Sequence, residues 1–236
     1  MRNILITGCS KGIGFEIVKT FAKNSSINII GVARNDIGLA KLNQECKEIN
    51  NNFNLKTISI DVSNIDAIDK IVELIKVHFN ATLDGLIHNA GTLVNKPFTE
   101  ITNQELEDSF RVNCFSPFIL TQKLFPYFST SAHILSISSM GGVQGTQKFP
   151  GLSAYSTSKA TLITFTECLA EEFKMTDLSF NCLALGAVKT EMLSKAFPGY
   201  NPPLSAKEMG DFIADFLLTG HKYFNGKVIP VSLTTP

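Results

Sequence analysis

The chain has 236 residues, 44% of them hydrophobic, and its 21 lysines and arginines balance 21 aspartates and glutamates. The zero net charge argues against a nucleic-acid or anionic-membrane partner, because such surfaces require a basic patch. The five cysteines are scattered without a C-x-x-C pair, which is typical of reduced thiols, and the four histidines lack metal-ligand spacing. Because no apolar run resembles a signal peptide or a membrane span, we expect a cytoplasmic protein without a metal site.

Short apolar runs alternate with longer helical patterns along the chain. Strands are predicted at residues 3–7, 28–33, 55–61, 84–88, 132–138, 178–185 and 227–232. Helices are predicted at 13–22, 37–49, 64–79, 103–128 with a bend near Pro117, 153–175 and 205–217, whereas 191–204 is irregular or partly helical. The strand runs are continuously apolar, which indicates parallel strands covered on both faces.

This alternation predicts the fold class. It favours a Rossmann-like α/β protein, a doubly wound three-layer αβα sandwich with a seven-stranded parallel sheet. No repeat, low-complexity tract or linker interrupts the pattern, so we expect a single domain over residues 1–236. A capping box formed by Ser205 and Glu208 marks the start of the last helix.

A glycine-rich turn follows the first predicted strand and reads T-G-C-S-K-G-I-G over residues 7–14. Glycines let the backbone approach a pyrophosphate, which binds at the N-terminus of the next helix. The spacing G-x-x-x-G-x-G differs from the general G-x-G-x-x-G pattern, and the alternative is a tight structural turn. The predicted cofactor contacts in this turn are Gly8, Ser10, Lys11, Gly12, Ile13 and Gly14.

The end of the second predicted strand indicates which nicotinamide cofactor binds. An acidic residue here would bind a ribose hydroxyl of NAD, but the chain has Ala33 followed by Arg34. Arg34 and Lys11 are cations suited to a 2′-phosphate, so NADP(H) is predicted in preference to NAD(H). Two alternatives are that Arg34 is a surface cation and that Asp36 supplies the missing carboxylate.

A tyrosine and a lysine, Tyr155 and Lys159, lie four residues apart at the start of the predicted helix 153–175. Residues at this spacing share one helix face. An ammonium beside a phenol favours the phenolate and lowers the tyrosine pKa, which suits an acid/base role. The alternative is an ordinary solvated helix face.

Several further motifs accompany the turn and the tyrosine–lysine pair. In chain order the set is T-G-x-x-x-G-x-G at 7–14, Asp61-Val62, His88-Asn89-Ala90-Gly91, Asn113, Ser138-Ser139, and Tyr155 with Lys159. With this set the chain resembles the short-chain dehydrogenase/reductase family over nearly its whole length. The resemblance implies an NAD(P)-dependent enzyme that acts on CH–OH or C=O groups of a small molecule.

The resemblance also implies catalytic roles. Tyr155 would be the general acid in carbonyl reduction and the general base in alcohol oxidation. Lys159 would hold down the tyrosine pKa and bind the nicotinamide ribose, and Ser139 would hydrogen-bond the substrate oxygen. Asn113 would distort its helix and hold a water in a proton relay. Ser138 is the alternative to Ser139, because neighbouring residues of a strand point in opposite directions.

Further cofactor contacts follow from the same resemblance. Asp61 would contact the adenine with Val62 beside it; the alternative for Asp61 is a helix N-cap. The 89–91 segment would line the cleft and support the first strand, and Thr190 would bind the nicotinamide carboxamide. The residues implied in this way are Asp61, Val62, Asn89, Ala90, Gly91, Tyr155, Lys159, Gly186, Val188 and Thr190.

The chain departs from the family pattern at several places. His88 replaces the common Asn, and Leu185 replaces a Pro, which leaves that loop less rigid. The interval before Tyr155 is widened within 145–150, and residues 230–236 lack the usual Asp-Gly-Gly. Residues 191–204 correspond to the variable substrate lid; the alternative is a mobile surface loop.

Three functional hypotheses remain on these grounds. The first is an NADP(H)-dependent oxidoreductase that interconverts a carbonyl and a secondary alcohol by hydride transfer. The second is a catalytically degenerate, nucleotide-binding regulatory homologue, and the third is a nucleotide-sugar epimerase or dehydratase, which would need a longer chain. The resemblance further implies a homodimer or homotetramer through the helices at 103–128 and 153–175, with Phe165 and Leu169 as contact residues.

Overall fold

The computed structural model describes residues 1–233. The strands are β1 Arg2–Thr7, β2 Ile27–Ala33, β3 Asn54–Ser59, β4 Leu83–His88, β5 Phe128–Ser139, β6 Ser179–Leu185, β7 Val188–Lys189, β8 Leu204–Ser205 and β9 Lys227–Val231. The α-helices are α1 Gly12–Ala22, α2 Asp36–Ile49, α3 Ile68–His78, α4 Asn103–Phe110, α5 Ser116–Leu124, α6 Ser153–Glu172, α7 Glu191–Ala196 and α8 Ala206–Thr219. Each predicted strand, and each predicted helix other than 103–128, has a counterpart among these elements.

Seven strands form one parallel sheet in the order β3-β2-β1-β4-β5-β6-β9. The chain moves outward from β1 to β3, then returns to β4 on the other side of β1 and moves outward again. This reversal between β1 and β4 is the switch point of a doubly wound sheet, where loops diverge and leave a crevice at the carboxyl ends of the strands. The predicted fold class is confirmed.

Two apolar layers cover the sheet. Successive residues of β1 face opposite layers: Ile4 and Ile6 pack with α1 and α8, whereas Leu5 packs with α3 and α5. All three side chains are buried. This explains why the strand runs are apolar throughout rather than alternating.

The predicted helix 103–128 is interrupted. A π-helical turn, Arg111–Phe115, separates α4 from α5, and the Ser116 N–H bonds to the Arg111 carbonyl five residues back. Pro117 has no N–H with which to bond the Asn113 carbonyl, so an α-helical ladder cannot continue through this point. The disruption therefore lies just before Pro117, and it is a π-turn rather than the simple proline bend that was predicted.

The two ends of the segment predicted as a lid are held together by strand pairing. Strands β7 and β8 pair in parallel, Val188 with Leu204 and Lys189 with Ser205, which brings together the two ends of residues 191–204. Helix α7 occupies the first part of the segment. The predicted capping box at Ser205 and Glu208 is present at the start of α8. Of the unusual C-terminal sequence 230–236, residues 234–236 lie outside the described residues.

Candidate active site

The glycine-rich turn between β1 and α1 is built around two residues with left-handed backbone. Gly8 has a φ of +73° and Gly12 a φ of +62°. A Cβ on Gly8 would lie 2.7 Å from the Ala90 Cα, and one on Gly14 would overlap the Gly8 carbonyl. Gly8 therefore requires glycine for both conformation and space, Gly12 for conformation and Gly14 for space. Gly14 is buried behind the turn and does not line the cleft.

Asn89 ties this turn to the end of β4. Its side-chain Nδ2 donates to the carbonyls of Thr7 and Gly8, each at 3.0 Å. The Thr7 hydroxyl in turn accepts from the backbone N–H groups of Asn89 and Ala90 at 3.2 and 3.1 Å. The 89–91 segment thus supports the first strand at the switch point.

The N-terminus of α1 is open toward the cleft. Lys11 is its N-cap and makes no side-chain capping bond, and the first turn contains no acidic residue. The first backbone N–H groups of the helix therefore lack intrahelical and capping partners, which is the arrangement that binds anions. The Lys11 ammonium lies 2.8 Å from the Glu191 carboxylate, so a salt bridge joins the turn to α7.

Arg34 and Asp61 face each other across the ends of β2 and β3. Their closest atoms, Nη1 and Oδ2, are 3.5 Å apart, and both side chains are exposed. Desolvation opposes ionisation of Asp61, but hydrogen bonds from Ser63 and the nearby Arg34 outweigh it and hold its pKa below the usual value. Asp61 is not the helix N-cap considered above, because Asn64 caps the following turn through the Asp66 N–H.

Tyr155 and Lys159 lie in the first two turns of α6, beside the end of β5. The Lys159 ammonium is buried and donates to the Ile137 carbonyl at 2.9 Å. Burial lowers the pKa of Lys159 to about 8. Burial also raises the pKa of Tyr155, while a hydrogen bond with the Ser139 side chain opposes the rise. Desolvation of the phenol dominates, so the pKa of Tyr155 is raised and not lowered in this structure, and Lys159 is not among the causes of the shift.

The two serines at the end of β5 have different surroundings. The Ser138 hydroxyl is buried and donates to the Lys159 carbonyl at 2.8 Å, which anchors α6 to the sheet. The Ser139 hydroxyl accepts from the Gly141 N–H at 3.2 Å and contacts Tyr155. Of the two, Ser139 is therefore the hydroxyl placed beside the tyrosine.

Asn113 lies in the π-turn and is fully buried. Its Oδ1 accepts from the Thr92 N–H, and its Nδ2 donates to the Thr92 carbonyl and the Ser158 hydroxyl, all at 2.9 Å. A Cβ added to Gly91 would lie 3.2 Å from Lys159 Nζ and 3.3 Å from Asn113 Oδ1. Asn113 is thus a neighbour of the lysine behind the cleft wall, and it is not an exposed helix residue.

The far wall of the site follows β6. The Gly186 N–H bonds to the Val231 carbonyl at 2.9 Å, and Gly186 packs so closely on Ser232 that a Cβ would overlap it. Val188 is buried, and the Thr190 hydroxyl caps α7 by accepting from the Leu193 N–H at 3.2 Å. Thr190 therefore has a structural role in addition to its place in the cleft.

His88, which departs from the family pattern, is buried and pairs with Thr121. Its Nε2 lies 2.7 Å from the Thr121 hydroxyl. Burial, with Lys159 nearby, lowers the pKa of His88 to about 3. The imidazole is therefore neutral at physiological pH and makes the hydrogen bond that an amide could make.

Sequence reasoning missed four supporting residues. Ser158 donates to the Tyr155 carbonyl at 2.8 Å and joins α6 to Asn113, and its position three residues after Tyr155 on a helix was the available signal. Thr92 and Ser63 hold Asn113 and Asp61 as described. Asn95 donates from Nδ2 to the Ala196 carbonyl at 2.7 Å, across 101 residues of sequence, and no local pattern predicts such a contact.

One cleft of about 630 Å³ runs along the carboxyl ends of the strands. Asp36 and the buried Asn113 are not among the described residues that line it. The predicted site residues that line it are Gly8, Ser10, Lys11, Gly12, Ile13, Arg34, Asp61, Val62, Asn89, Ala90, Gly91, Ser139, Tyr155, Lys159, Gly186, Val188 and Thr190.

A doubly wound parallel sheet with this cleft at its switch point defines a nucleotide-binding α/β class. The family model described as short chain dehydrogenase matches residues 2–201. The chain therefore belongs to the short-chain dehydrogenase family and is an oxidoreductase acting on carbonyl or alcohol groups.

Known relatives agree with this assignment. The chain is 31% identical to L-xylulose reductase of Caenorhabditis elegans over 195 residues, covering 81% of this chain and 73% of the relative. It is 32% identical to the NADPH-dependent 3-dehydrocapnine reductase of Ornithobacterium rhinotracheale, covering 86% and 71%. A short-chain dehydrogenase from Shigella flexneri, solved with NADP, matches with a TM-score of 0.88 at 27% identity, covering 97% and 96%.

Two further searches concern residues 1–233. Within them, no helix is long and apolar enough to cross a membrane. No three His, Cys, Asp or Glu side chains in this range come together in a way that could hold a metal ion.

Proposed function

We propose that the protein is an NADP(H)-dependent oxidoreductase that interconverts a carbonyl and a secondary alcohol, with Tyr155 as the general acid/base. The observation that carries the proposal is the convergence of Tyr155, Ser139 and Lys159 at one edge of the cleft, opposite the open N-terminus of α1. A degenerate homologue would not need to keep all these groups in one cleft.

The residues present fit a dinucleotide. The uncapped α1 and the glycine backbone at Gly8 and Gly12 form a cradle for a pyrophosphate at the switch point. A Cβ on Gly12 would project toward Thr190, 3.7 Å away, into the space between the turn and α7. When bound, the nicotinamide supplies the hydride for carbonyl reduction or accepts it in alcohol oxidation.

NADP(H) is proposed over NAD(H) because Lys11 and Arg34 are the cations at this end of the cleft. Both are held in exposed ion pairs, which are weak and exchange readily for a phosphate. The NADP complex of the Shigella flexneri relative and the NADPH dependence in the name of the Ornithobacterium relative support this preference.

The chain's own groups account for the proton chemistry. Because its pKa is raised, Tyr155 is protonated at neutral pH, which is the form needed to give a proton to the carbonyl oxygen. Ser139 would donate a hydrogen bond to that oxygen as negative charge develops. Lys159 would return a proton to the tyrosine through a water held by Asn113, since the side chains of both residues lie against Gly91.

The proposal is tested by oxidation of NADPH and NADH, followed by absorbance, over a panel of ketones and aldehydes. Tyr155→Phe should lower kcat by about 10²-fold or more, because one general acid contributes this much, while NADPH binding measured by calorimetry is retained. Phe keeps the ring packing and removes only the hydroxyl. Normal turnover by this variant would contradict the mechanism; cofactor binding without turnover in the native protein would favour the regulatory homologue.

Self-association is proposed through α4, α5 and α6. Phe115 and Phe118 on α5 and its π-turn are 50% and 53% exposed, and the Phe118 ring lies 5.2 Å from Phe165 on α6. These rings form an unusually apolar outer surface. Leu169, the other candidate contact residue, is partly buried and packs against the core, and its place in an interface stays a prediction.

A further inference from the structure

The substrate end of the cleft has a distinct chemistry. We infer that the carbonyl substrate is an uncharged, largely apolar compound such as an aryl ketone, and not a polyol ketose or a carboxylate- or phosphate-bearing metabolite. This inference rests on the proposed function and specifies the substrate class of the same site.

The sheet order divides the cleft into two ends. Residues that follow β1, β2 and β3 line one end, where the glycine turn, Arg34 and Asp61 lie. Residues that follow β4, β5 and β6 line the other end, where Ser139 and Tyr155 lie. The reacting carbonyl must meet the tyrosine, so the second end holds the rest of the substrate.

Apolar side chains dominate that second end. They come from three separate loops, after β4, β5 and β6, and converge around Tyr155. The side chains that carry this argument are Leu93, Met140, Phe149, Leu152, Met192 and Phe197. An aromatic or aliphatic group would bury this surface, which is the main source of favourable free energy for an apolar ligand.

The charged side chains near this end already have hydrogen-bond or ion-pair partners within the protein. Lys148, next to Phe149, does not line the cleft; its ammonium folds back onto the Val143 carbonyl and the Thr146 hydroxyl at 2.5 and 2.9 Å. The Glu191 carboxylate is held by Lys11 at 2.8 Å and by Lys195 at 2.6 Å. Lys159 is buried against the Ile137 carbonyl.

Among the described lining residues of this end, an anionic substrate would therefore find no cation other than the buried Lys159, which the proposed mechanism already uses. A ketose would need a hydrogen-bond partner for each hydroxyl. Apart from the catalytic groups and Glu191, which is held by two lysines, the long polar side chains here are Gln147 and Tyr200. Polar groups desolvated without partners weaken binding, so both classes are disfavoured.

A matched pair of ketones tests the effect of a negative charge on the substrate. Benzoylformate and methyl benzoylformate share the phenyl ketone and differ in the carboxylate, and a ketopentose represents the polyols. The value of kcat/KM should be higher for the methyl ester than for either of the others by about tenfold or more. Benzoylformate or the ketopentose turning over as well as the ester, in a Tyr155-dependent reaction, would overturn the inference and leave the proposed function standing.

Variants of the cleft wall test which residues set this preference. Phe149→Ala and Phe197→Ala should each raise KM for the methyl ester about tenfold with little change in kcat, because they remove uniform binding. Phe98→Ala is the matched control, since Phe98 is 78% exposed and does not line the cleft. Phe149→Arg should shift the preference toward benzoylformate, because it places an unpaired cation at this end.

Binding measured without turnover separates the two proposals. Ligand-detected NMR on the Tyr155→Phe protein with NADPH should show the methyl ester bound and benzoylformate unbound at equal concentration. If no ketone is reduced by the native protein but this binding difference is seen, the proposed function fails and the substrate class stands. Equal binding of both compounds would overturn the inference whether or not turnover occurs.

Discussion

Individual residues of the site are held in states that their type alone does not indicate. Lys159 is an ammonium that burial makes easier to deprotonate, and Tyr155 is a phenol that burial makes harder to deprotonate. Gly8 has a left-handed backbone in contact with Ala90. Each state comes from neighbours supplied by distant parts of the chain, and each leads to a measurable consequence.

Burial of Lys159 makes the stability of the fold depend on pH. Its pKa is about 8 in the folded protein against 10.5 for an unperturbed lysine. The unfolded chain therefore binds more protons between these values, and stability rises with pH there. The penalty is fully present below pH 8 and is of the order of 3 kcal/mol at 1.36 kcal/mol per unit. Lys159→Met should therefore have its largest stability advantage over the native protein at pH 7.

Urea unfolding of Lys159→Met and native protein at pH 7 and pH 10 measures this effect. The difference in unfolding free energy should shrink toward the higher pH, whatever the constant contribution from packing and from the lost bond to Ile137. If the difference in unfolding free energy did not change with pH, the lowered pKa assigned to the buried Lys159 would be contradicted.

Gly8 and Gly145 offer a matched pair for separating backbone strain from steric overlap. Both have positive φ, +73° and +78°, but only Gly8 has a close neighbour, whereas a Cβ on Gly145 would meet nothing within 4 Å. Gly145→Ala should cost about 1–2 kcal/mol from strain alone. Gly8→Ala should cost clearly more stability and should also weaken NADPH binding. Thermal unfolding with and without NADPH measures both effects. Equal losses of stability in the two variants would show that backbone strain alone, without steric overlap, accounts for the cost.

At the scale of elements, one interrupted helix and a set of hydrogen bonds between loops shape the site. The π-turn before Pro117 turns Asn113 inward to Thr92 and Ser158, where a continuous α-helix would place its side chains differently. On the opposite side, α7 is tied to the loop after β4 by Asn95, and the Lys96 N–H bonds to the Gly151 carbonyl of the loop before α6 at 3.0 Å. Three loops around the substrate end are thereby connected.

Loss of the Asn95 contact should loosen α7 without unfolding the protein. Asn95→Ala removes one exposed hydrogen bond to Ala196, so global stability should fall by about 1 kcal/mol or less. Hydrogen exchange in residues 191–204 should accelerate, and KM should rise more than kcat falls. Gln104→Ala, which removes the exposed bond to Asp108 on α4, is the control; unchanged exchange in Asn95→Ala would show that α7 is held by other contacts.

For the whole molecule, the surface of α5 and α6 exposes more aromatic side chain than is usual for a monomer. Phe118 is 53% exposed although its ring lies 5.2 Å from the Phe165 ring. If two copies bury these rings against each other, Phe118→Arg should convert the oligomer to a monomer, because it places charges at the centre of an apolar contact. Light scattering after gel filtration measures the mass.

The control for this change is Ile37→Arg, since Ile37 is 83% exposed on α2, whose buried side chains pack in the other apolar layer from those of α5. It should leave the mass of the assembly unchanged. A native protein that already has the mass of one chain, or a Phe118→Arg variant with unaltered mass, would exclude this surface as the interface.

The sequence by itself determined the fold class and the motifs of the site. Continuous apolar strands can only be buried on both faces, and the glycines of the turn have no substitute where backbone approaches backbone. The tyrosine–lysine spacing is likewise a local property of one helix. Local periodicity and backbone sterics depend on residues that are close in sequence, so these features could be predicted without coordinates.

Only the tertiary structure decided the electrostatic state and the surroundings of those motifs. Whether the pKa of Tyr155 is raised or lowered depends on how far the tertiary packing desolvates the phenol. The choice between Ser138 and Ser139 depends on which hydroxyl contacts Tyr155, because the Ser138 hydroxyl bonds to the Lys159 carbonyl instead. Desolvation and long-range contacts join residues that are distant in the chain, so no local pattern records them. The same long-range packing turns the charge of Lys148 away and leaves Phe149 facing the tyrosine's cleft.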